Sequence, residues 1–369
     1  MALKGYIRRF IRNFIPRIAL ALVALLAVAL LAEMVLRLLP GQQVRKTRTK
    51  RTYTSLQCQR DSVVGWIFPP DSQGFFKSGD YPTPVVTNSQ GLRNHTIDPS
   101  AEVIRLVVLG DSYAFGWGVQ AAEAFPQQLA SLLAERQPDR AFEVVNGGIP
   151  GFAVYQQVRM LERLRSEFPI HAVIATFSLA NDPVDELRLA RYAPDRLAEY
   201  SYLVRRPNSF LSRLIKTSRL LTLIDRRTQN LQFHWANASG HALDLAEASL
   251  RNLFLTCQQD SLPVLLVVVP RASEVLPSSF GKRLFNFSAK RPRQLALRMS
   301  REYSVPMVDL KEILHESQLE QTVYLKGDAH WTAAGHRITA EHILEGTPVQ
   351  WWESVYAGSR TPPKDTASD

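Results

Sequence analysis

Between Ser100 and about residue 345 the chain alternates short runs of β-branched residues with longer amphipathic stretches, the pattern of a parallel α/β sheet. Strands buried on both faces read as near-continuous apolar runs, and five such runs stand out. They are Val103–Leu109, Phe142–Val145, Ala172–Thr176, Val264–Val269 and Pro306–Val308. Helical periodicity marks Phe125–Glu135, Tyr155–Glu167, Leu243–Gln259, Arg291–Glu302 and Thr332–Leu344 between and after them. The spacing is regular except for about 80 residues between the third and fourth runs. There, 183–240 carries Leu211, Leu214, Ile215, Leu220, Leu221 and Ile224 among many arginines. An inserted helical cap beside a site and a surface helix without function fit that pattern equally well.

The formal net charge of +10 suggests nucleic acid until the charges are located. Residues 1–51 hold eleven Lys or Arg against one acid, Glu33, and 52–369 hold 33 of each sign. A nucleic-acid-binding domain needs basic residues spread over a folded face, so no nucleic-acid partner is expected. The basic end instead flanks an apolar run. From Ile18 to Ala32 every residue is Ala, Val, Leu or Ile, and the run extends to Leu39 with Glu33 and Arg37 inside it. Its 22 residues, at about 1.5 Å each, span a hydrocarbon core of roughly 30 Å. One transmembrane anchor over 18–39 is expected. A cleaved signal peptide is the alternative, disfavoured by the length and by the lack of a small-x-small cleavage site. Lys4, Arg8, Arg9, Arg12 and Arg17 favour an inside amino terminus and an exported body, although Arg45, Lys46, Arg48, Lys50 and Arg51 follow the run.

The expected layout is then a basic tail over 1–17, the anchor, and a polar linker over 40–60. A proline-bearing, extended juxtamembrane segment over 61–100, an α/β domain over 101–346 and a fraying tail over 347–369 follow. Two cysteines, Cys58 and Cys257, cannot build a disulfide framework; buried thiols are favoured over a single bridge. Three Asn-x-Ser/Thr triplets, at Asn94, Asn237 and Asn286, would matter only in a glycosylating compartment.

In an open parallel sheet, ligands bind outside the carboxyl ends of the strands. After the first run comes Gly110-Asp111-Ser112-Tyr113, and after the second Asn146-Gly147-Gly148-Ile149-Pro150-Gly151. Ala180-Asn181-Asp182 follows the third, and Asp328-Ala329-His330-Trp331 precedes the final helix. A serine on a turn, glycine-rich turns, a side-chain amide and an Asp-x-His pair are the parts needed for acyl transfer through a covalent intermediate. Singly each is weak; a Gly-Asp-Ser turn is more often structural. Their order at successive strand ends resembles the SGNH (GDSL-type) hydrolase family over roughly residues 100–345. Asp61, Gly65-Trp66, Pro69 and Asn88-Ser89-Gln90-Gly91-Leu92-Arg93 resemble the juxtamembrane part of bacterial members that carry an anchor.

The resemblance implies a flavodoxin-like three-layer α/β/α fold with a five-stranded parallel sheet. It also implies Ser112 as nucleophile, His330 as general base and Asp328 as the acid that orients it. The backbone N–H groups of Ser112 and Gly148 and the amide of Asn181 would form the oxyanion hole, and no cofactor or metal is implied. Glycine at 148 would let its N–H approach the developing charge, and Asp111, Asn146 and Asp182 would hold turns. Two positions depart from the family pattern. Gly327 stands where the orienting acid usually sits, with Asp328 one residue later, and Leu179 stands where many members have glycine, which could reshape the acyl pocket.

Gly-x-Ser-x-Gly, the elbow of the α/β-hydrolases, is absent from the sequence. Asp328, His330 and His336 could be read as metal ligands, but the histidine spacing does not place both on one helical face; His336 is expected to cap or pack on the last helix. The expected activity is that of a serine esterase on O-acyl or O-acetyl groups of a cell-envelope glycan or lipid, anchored in a bacterial inner membrane with the catalytic domain periplasmic. An O-acyltransferase and a catalytically silent, membrane-tethered scaffold remain open, as does the oligomeric state.

Overall fold

The computed structural model describes residues 2–38, 53–78, 81–192, 217–224, 239–276, 290–326 and 328–358. The chain divides into two units: Met1–Lys50 with Pro207–Gln232, and Arg51–Arg206 with Phe233–Asp369.

The first unit holds the helix α1 (Ala2–Leu38), whose stretch Pro16–Leu38 is long and apolar enough to cross a membrane, with a mean hydropathy of 2.7. Its large side chains, Leu20, Leu26 and Leu38 among them, are exposed, the reverse of a helix from a soluble core.

In the second unit five parallel strands form the central sheet: β1 (Ile104–Leu109), β2 (Phe142–Asn146), β3 (Ala172–Ser178), β4 (Val264–Val269) and β5 (Met307–Asp309). Their order, β2-β1-β3-β4-β5, is the flavodoxin-like one. Each lies within two residues of its expected place. All residues of β1, β3 and β4 are buried, because helices cover both faces. Leu106 and Val108 of β1 join one apolar cluster with Leu129 and Leu133 of the helix Phe125–Arg136 and Ile343 of Ala333–Gly346. Val107 and Leu109 join the other, with Leu161 of Val154–Arg165 and Leu250 and Leu253 of Gly240–Gln259. This is the period of two of a strand, resolved into two cores. Fully burying one such leucine contributes about 1.5–3 kcal/mol. The charged residue inside β1, Arg105, ion-pairs with Glu143 of β2 and donates to Asp98 O at 2.8 Å and Pro169 O at 3.1 Å, so its buried guanidinium is compensated.

Three expectations need correction. The segment 61–100 is not an extended run outside the α/β domain: Trp66, Phe68, Phe76, Val85, Leu92 and Ile97 lie in the same core cluster as Val107 and Leu109. Its prolines mark an edge strand. Pro82 and Pro84 sit in Tyr81–Val86, the outer member of a three-stranded antiparallel sheet with Tyr53–Thr54 and Gln73–Ser78, where a missing N–H is tolerated. The linker is shorter than 40–60, since Tyr53–Thr54 and the hairpin Gln59–Asp61 with Gly65–Ile67 are already paired; 39–52 lie outside the described residues. The expected tail from 347 opens with a helix, Val349–Gly358, because Trp351, Trp352 and Val355 bury in the same cluster as Leu106 and Val108; 359–369 lie outside the described residues.

Of the expected insert over 183–240, residues 193–216 and 225–238 also lie outside them, with Asn237 and Asn286 of the triplets. Cys58 and Cys257 are both unpaired and buried, and burial pushes the Cys257 thiol up to about 12.

Candidate active site

β1 ends at Leu109, and Gly110-Asp111 turns the chain into the short helix Ser112–Phe115. Gly110 packs against β3 so tightly that a Cβ there would collide with Thr176 Oγ1. Asp111 caps the turn, its Oδ1 accepting from Tyr113 N at 2.9 Å. Gly116, left-handed at φ 79°, ends the helix. Ser112 therefore stands at the carboxyl end of β1, the strand that separates β2 from β3, which is the switch point of this strand order.

His330 comes from the far end of the chain. Tyr113 OH donates to Ala329 O at 2.8 Å and Leu325 N donates to His330 O at 2.9 Å, fixing its turn beside the serine. The rings of Tyr113 and Trp117 lie 5.3 and 5.7 Å from the imidazole. His330 Nε2 is 2.8 Å from Ser112 Oγ, and Nδ1 is 2.6 Å from Asp328 Oδ1. A carboxylate only accepts, so Nδ1 carries the proton and Nε2 is left to accept from the serine hydroxyl. The same Oδ1 also accepts the His330 backbone N–H at 3.2 Å. A separation of two residues thus lets one oxygen take both N–H groups, which is how the Asp-x-His form closes; Gly327 lies outside the described residues.

The other turns converge on the same end. Asn181 Nδ2 donates to Asp111 Oδ2 at 2.7 Å. Gly148 N donates to Asn146 Oδ1 at 3.0 Å, while Asn146 Nδ2 donates to Ala114 O at 2.8 Å and Ile149 N to Gly110 O at 3.1 Å. Gly148 presses on the serine's helix: a Cβ would come within 2.6 Å of Phe115 N and 2.7 Å of Ala114 Cβ. Glycine is demanded there by close packing, a different reason from the approach of an N–H to charge.

The profile of the GDSL-like lipase/acylhydrolase family matches residues 108–338, more than half of the chain. The protein belongs to that family. As a GDSL-like lipase/acylhydrolase it is a hydrolase acting on ester bonds. Solved structures to which the chain is similar include an acetylxylan esterase from Geobacillus stearothermophilus, at 17% identity over 67% of this chain and 95% of that one, TM-score 0.43. A psychrotrophic esterase from Pseudoalteromonas sp. is similar at 14% identity over 68% and 98%, TM-score 0.41. A two-domain esterase active on acetylated mannans shares 15% identity over 72% and 53%, TM-score 0.41. No curated protein matches the chain.

Beneath the turns of this GDSL-like domain lies a buried acidic pair. Burial raises the Asp111 carboxyl, against the pull of the Asn181 amide and the Tyr113 N–H. Burial, with Asp111 nearby, raises Asp182 well above the usual carboxylate range although its Oδ2 accepts from Ser178 N at 2.6 Å. Both hold turns, as their positions lead one to expect.

His336 is not gathered to the site. It is buried on Ala333–Gly346, its Nδ1 accepts from Phe125 N at 3.2 Å, and burial drives it down to about 3. Leu179, where many family members have glycine, is fully buried in the core.

Two residues that stand out in the sequence for other reasons also hold the site's scaffold. Arg93, from the motif after Asn88, donates to Phe115 O, Gly116 O, Val119 O and Pro84 O at 2.7–3.0 Å, holding the loop behind the serine's helix. Asn94 exchanges hydrogen bonds with the Asn146 backbone at 2.9 Å in both directions, so its amide is occupied by the fold. An arginine and an asparagine in a polar loop carry no sequence signal that separates such roles from surface positions.

Proposed function

We propose that this hydrolase works through an acyl-enzyme on Ser112. The Ser112 hydroxyl gives its proton to His330 Nε2 as Oγ bonds to the ester carbonyl carbon. The tetrahedral oxyanion is held by the N–H groups of Ser112 and Gly148 and the Asn181 amide. Collapse breaks the ester C–O bond, and the imidazolium returns the proton to the departing alkoxide. Water, deprotonated by His330, then releases the carboxylic acid and restores the serine. Asp328 keeps the imidazole in the required tautomer and stabilises its cationic form.

The observation that carries this reading is the row Ser112 Oγ, His330, Asp328 at 2.8 and 2.6 Å. The substrate class we assign is an O-acylated, in particular O-acetylated, glycan or lipid of the cell envelope. Support for it is the apolar helix Pro16–Leu38, which would hold the enzyme in the inner membrane with the hydrolase unit outside the cytoplasm.

The test uses the full chain in detergent with p-nitrophenyl acetate and a fluorophosphonate probe. Labelling and release in the wild type that vanish in Ser112→Ala are expected. Labelling that survives Ser112→Ala, or a folded wild type that takes no label, overturns the mechanism.

A further inference from the structure

Glu33 is the one acid among residues 1–51, and it lies five residues before the end of α1, inside the apolar stretch. A carboxylate in that position is costly unless it is compensated. Here it is compensated from a distance. Glu33 Oε1 accepts from Arg37 Nε at 2.7 Å and Arg219 N at 3.0 Å, and Oε2 accepts from Leu220 N at 2.8 Å and Ser218 Oγ at 2.9 Å. Arg219 Nη1 reaches back to Leu36 O at 2.5 Å, and Arg37 Nη2 donates to Thr217 O at 3.2 Å. The last turns of α1 and the segment 217–224 are therefore joined by bonds running both ways, all within the first unit.

The segment turns helical over 219–224, and it leaves Leu223 and Ile224 41% and 50% exposed. Glu33 lies five residues, about 7–8 Å, inside the C-terminal end of the apolar stretch, where the hydrocarbon core gives way to headgroups. An element bonded to Glu33 of a spanning helix consequently lies just inside that boundary, at the level of the outermost acyl segments. We propose that 217–224 is a membrane-docking element, pinned at that depth by Glu33, with Leu223 and Ile224 among the acyl chains of the bilayer. Arg219 within it and Arg37 beside it are cations suited to headgroup phosphates. The inference rests on α1 spanning the membrane.

The test places the full chain in vesicles of phosphatidylcholine and phosphatidylglycerol, with a nitroxide on Leu223→Cys, Ile224→Cys or, as a water-exposed control, Leu319→Cys. Cys58 and Cys257 are buried, and the unsubstituted chain serves as the labelling blank. Resistance to alkaline carbonate extraction reports on the span, and relative collision rates with oxygen and a water-soluble nickel chelate report on depth. At 223 and 224 oxygen should collide several-fold more often than the chelate, with the opposite preference at 319. Glu33→Leu should abolish the oxygen preference while the chain still resists extraction and melts as before. Chelate preference at 223 and 224 in an inextractable wild type, or an unchanged preference in Glu33→Leu, overturns the docking inference alone. Extraction of the wild type overturns the span and the inference with it.

Discussion

The Asn181 amide donates to Asp111 Oδ2 at 2.7 Å, tying the turn after β3 to the turn after β1 across the switch point. Asp111 in turn caps the helix that begins with Ser112, so the amide's orientation and the serine's position are set by one carboxylate. One N–H of Asn181 is used in this way. Its second N–H, like the backbone N–H of Ser112, has no partner among the described residues, while that of Gly148 is engaged by Asn146. Of the three donors proposed for the oxyanion, these two are uncommitted, so under that proposal their bonds would strengthen only when negative charge develops, which is the condition for lowering a barrier.

Asn181→Ala is expected to lower kcat roughly 10²–10³-fold with KM little changed, the loss that follows removal of one oxyanion donor. Steady-state kinetics on p-nitrophenyl acetate decide it: a rise in KM at constant kcat would assign Asn181 to ground-state binding.

For Asp328→Asn the expected loss in turnover is up to roughly 10⁴-fold, because an amide can leave the imidazole in the wrong tautomer. Thermal melting should change little. If turnover stays within a few-fold of wild type, Asp328 does not orient the base.

Gly148→Ala forces a methyl group to within 2.6 Å of Phe115 N, so the serine's helix must shift. A misplacement of about 1 Å in reacting groups costs on the order of 10²-fold. Activity should fall far more than the melting temperature; a variant with full activity would show that the helix yields without moving Ser112.

Glu186 is buried between helices, with Oε1 accepting from Tyr155 N at 2.8 Å, and burial raises its carboxyl from 4.5 to about 7. The folded chain thus holds this proton more tightly than the unfolded chain. Its contribution to stability is complete below about 4.5 and declines as pH rises to about 7, by roughly 3 kcal/mol in all. Glu186→Gln should flatten that decline, and urea unfolding at pH 5 and pH 8 would measure it. An unchanged difference between the two pH values would mean that Glu186 ionises freely in the fold.

Arg93→Lys keeps the charge but loses the fork that serves four carbonyls, leaving at least one buried acceptor unpaired at about 1–3 kcal/mol each. Denaturant midpoints should fall accordingly, with activity falling too because the loop behind Ser112 loosens. A midpoint equal to that of wild type would show that the carbonyls find other donors.

The sheet was legible because β1, β3 and β4 are buried on both faces and so must be apolar throughout, a pattern that few surface segments imitate. The contacts among Ser112, His330 and Asp328 were foreseeable because each residue lies close to an element that was itself legible, as do Gly148 and Asn181. What failed to show was long-range. Nothing local tells that Trp351 and Trp352 fold back on the core, or that Pro82 and Pro84 lie on the edge strand of a sheet. Glu33 likewise reads as a defect in an apolar run until Ser218 is brought beside it.

Ser112 precedes His330 by 218 residues, and the turn that carries the base stands near the end of the described chain. During synthesis the proposed nucleophile therefore emerges long before the group proposed to activate it. A nascent or truncated chain that stops just short of His330 has all five strands of the sheet but lacks the imidazole that the proposed mechanism requires, so hydrolytic capacity would arrive only with the last part of the chain.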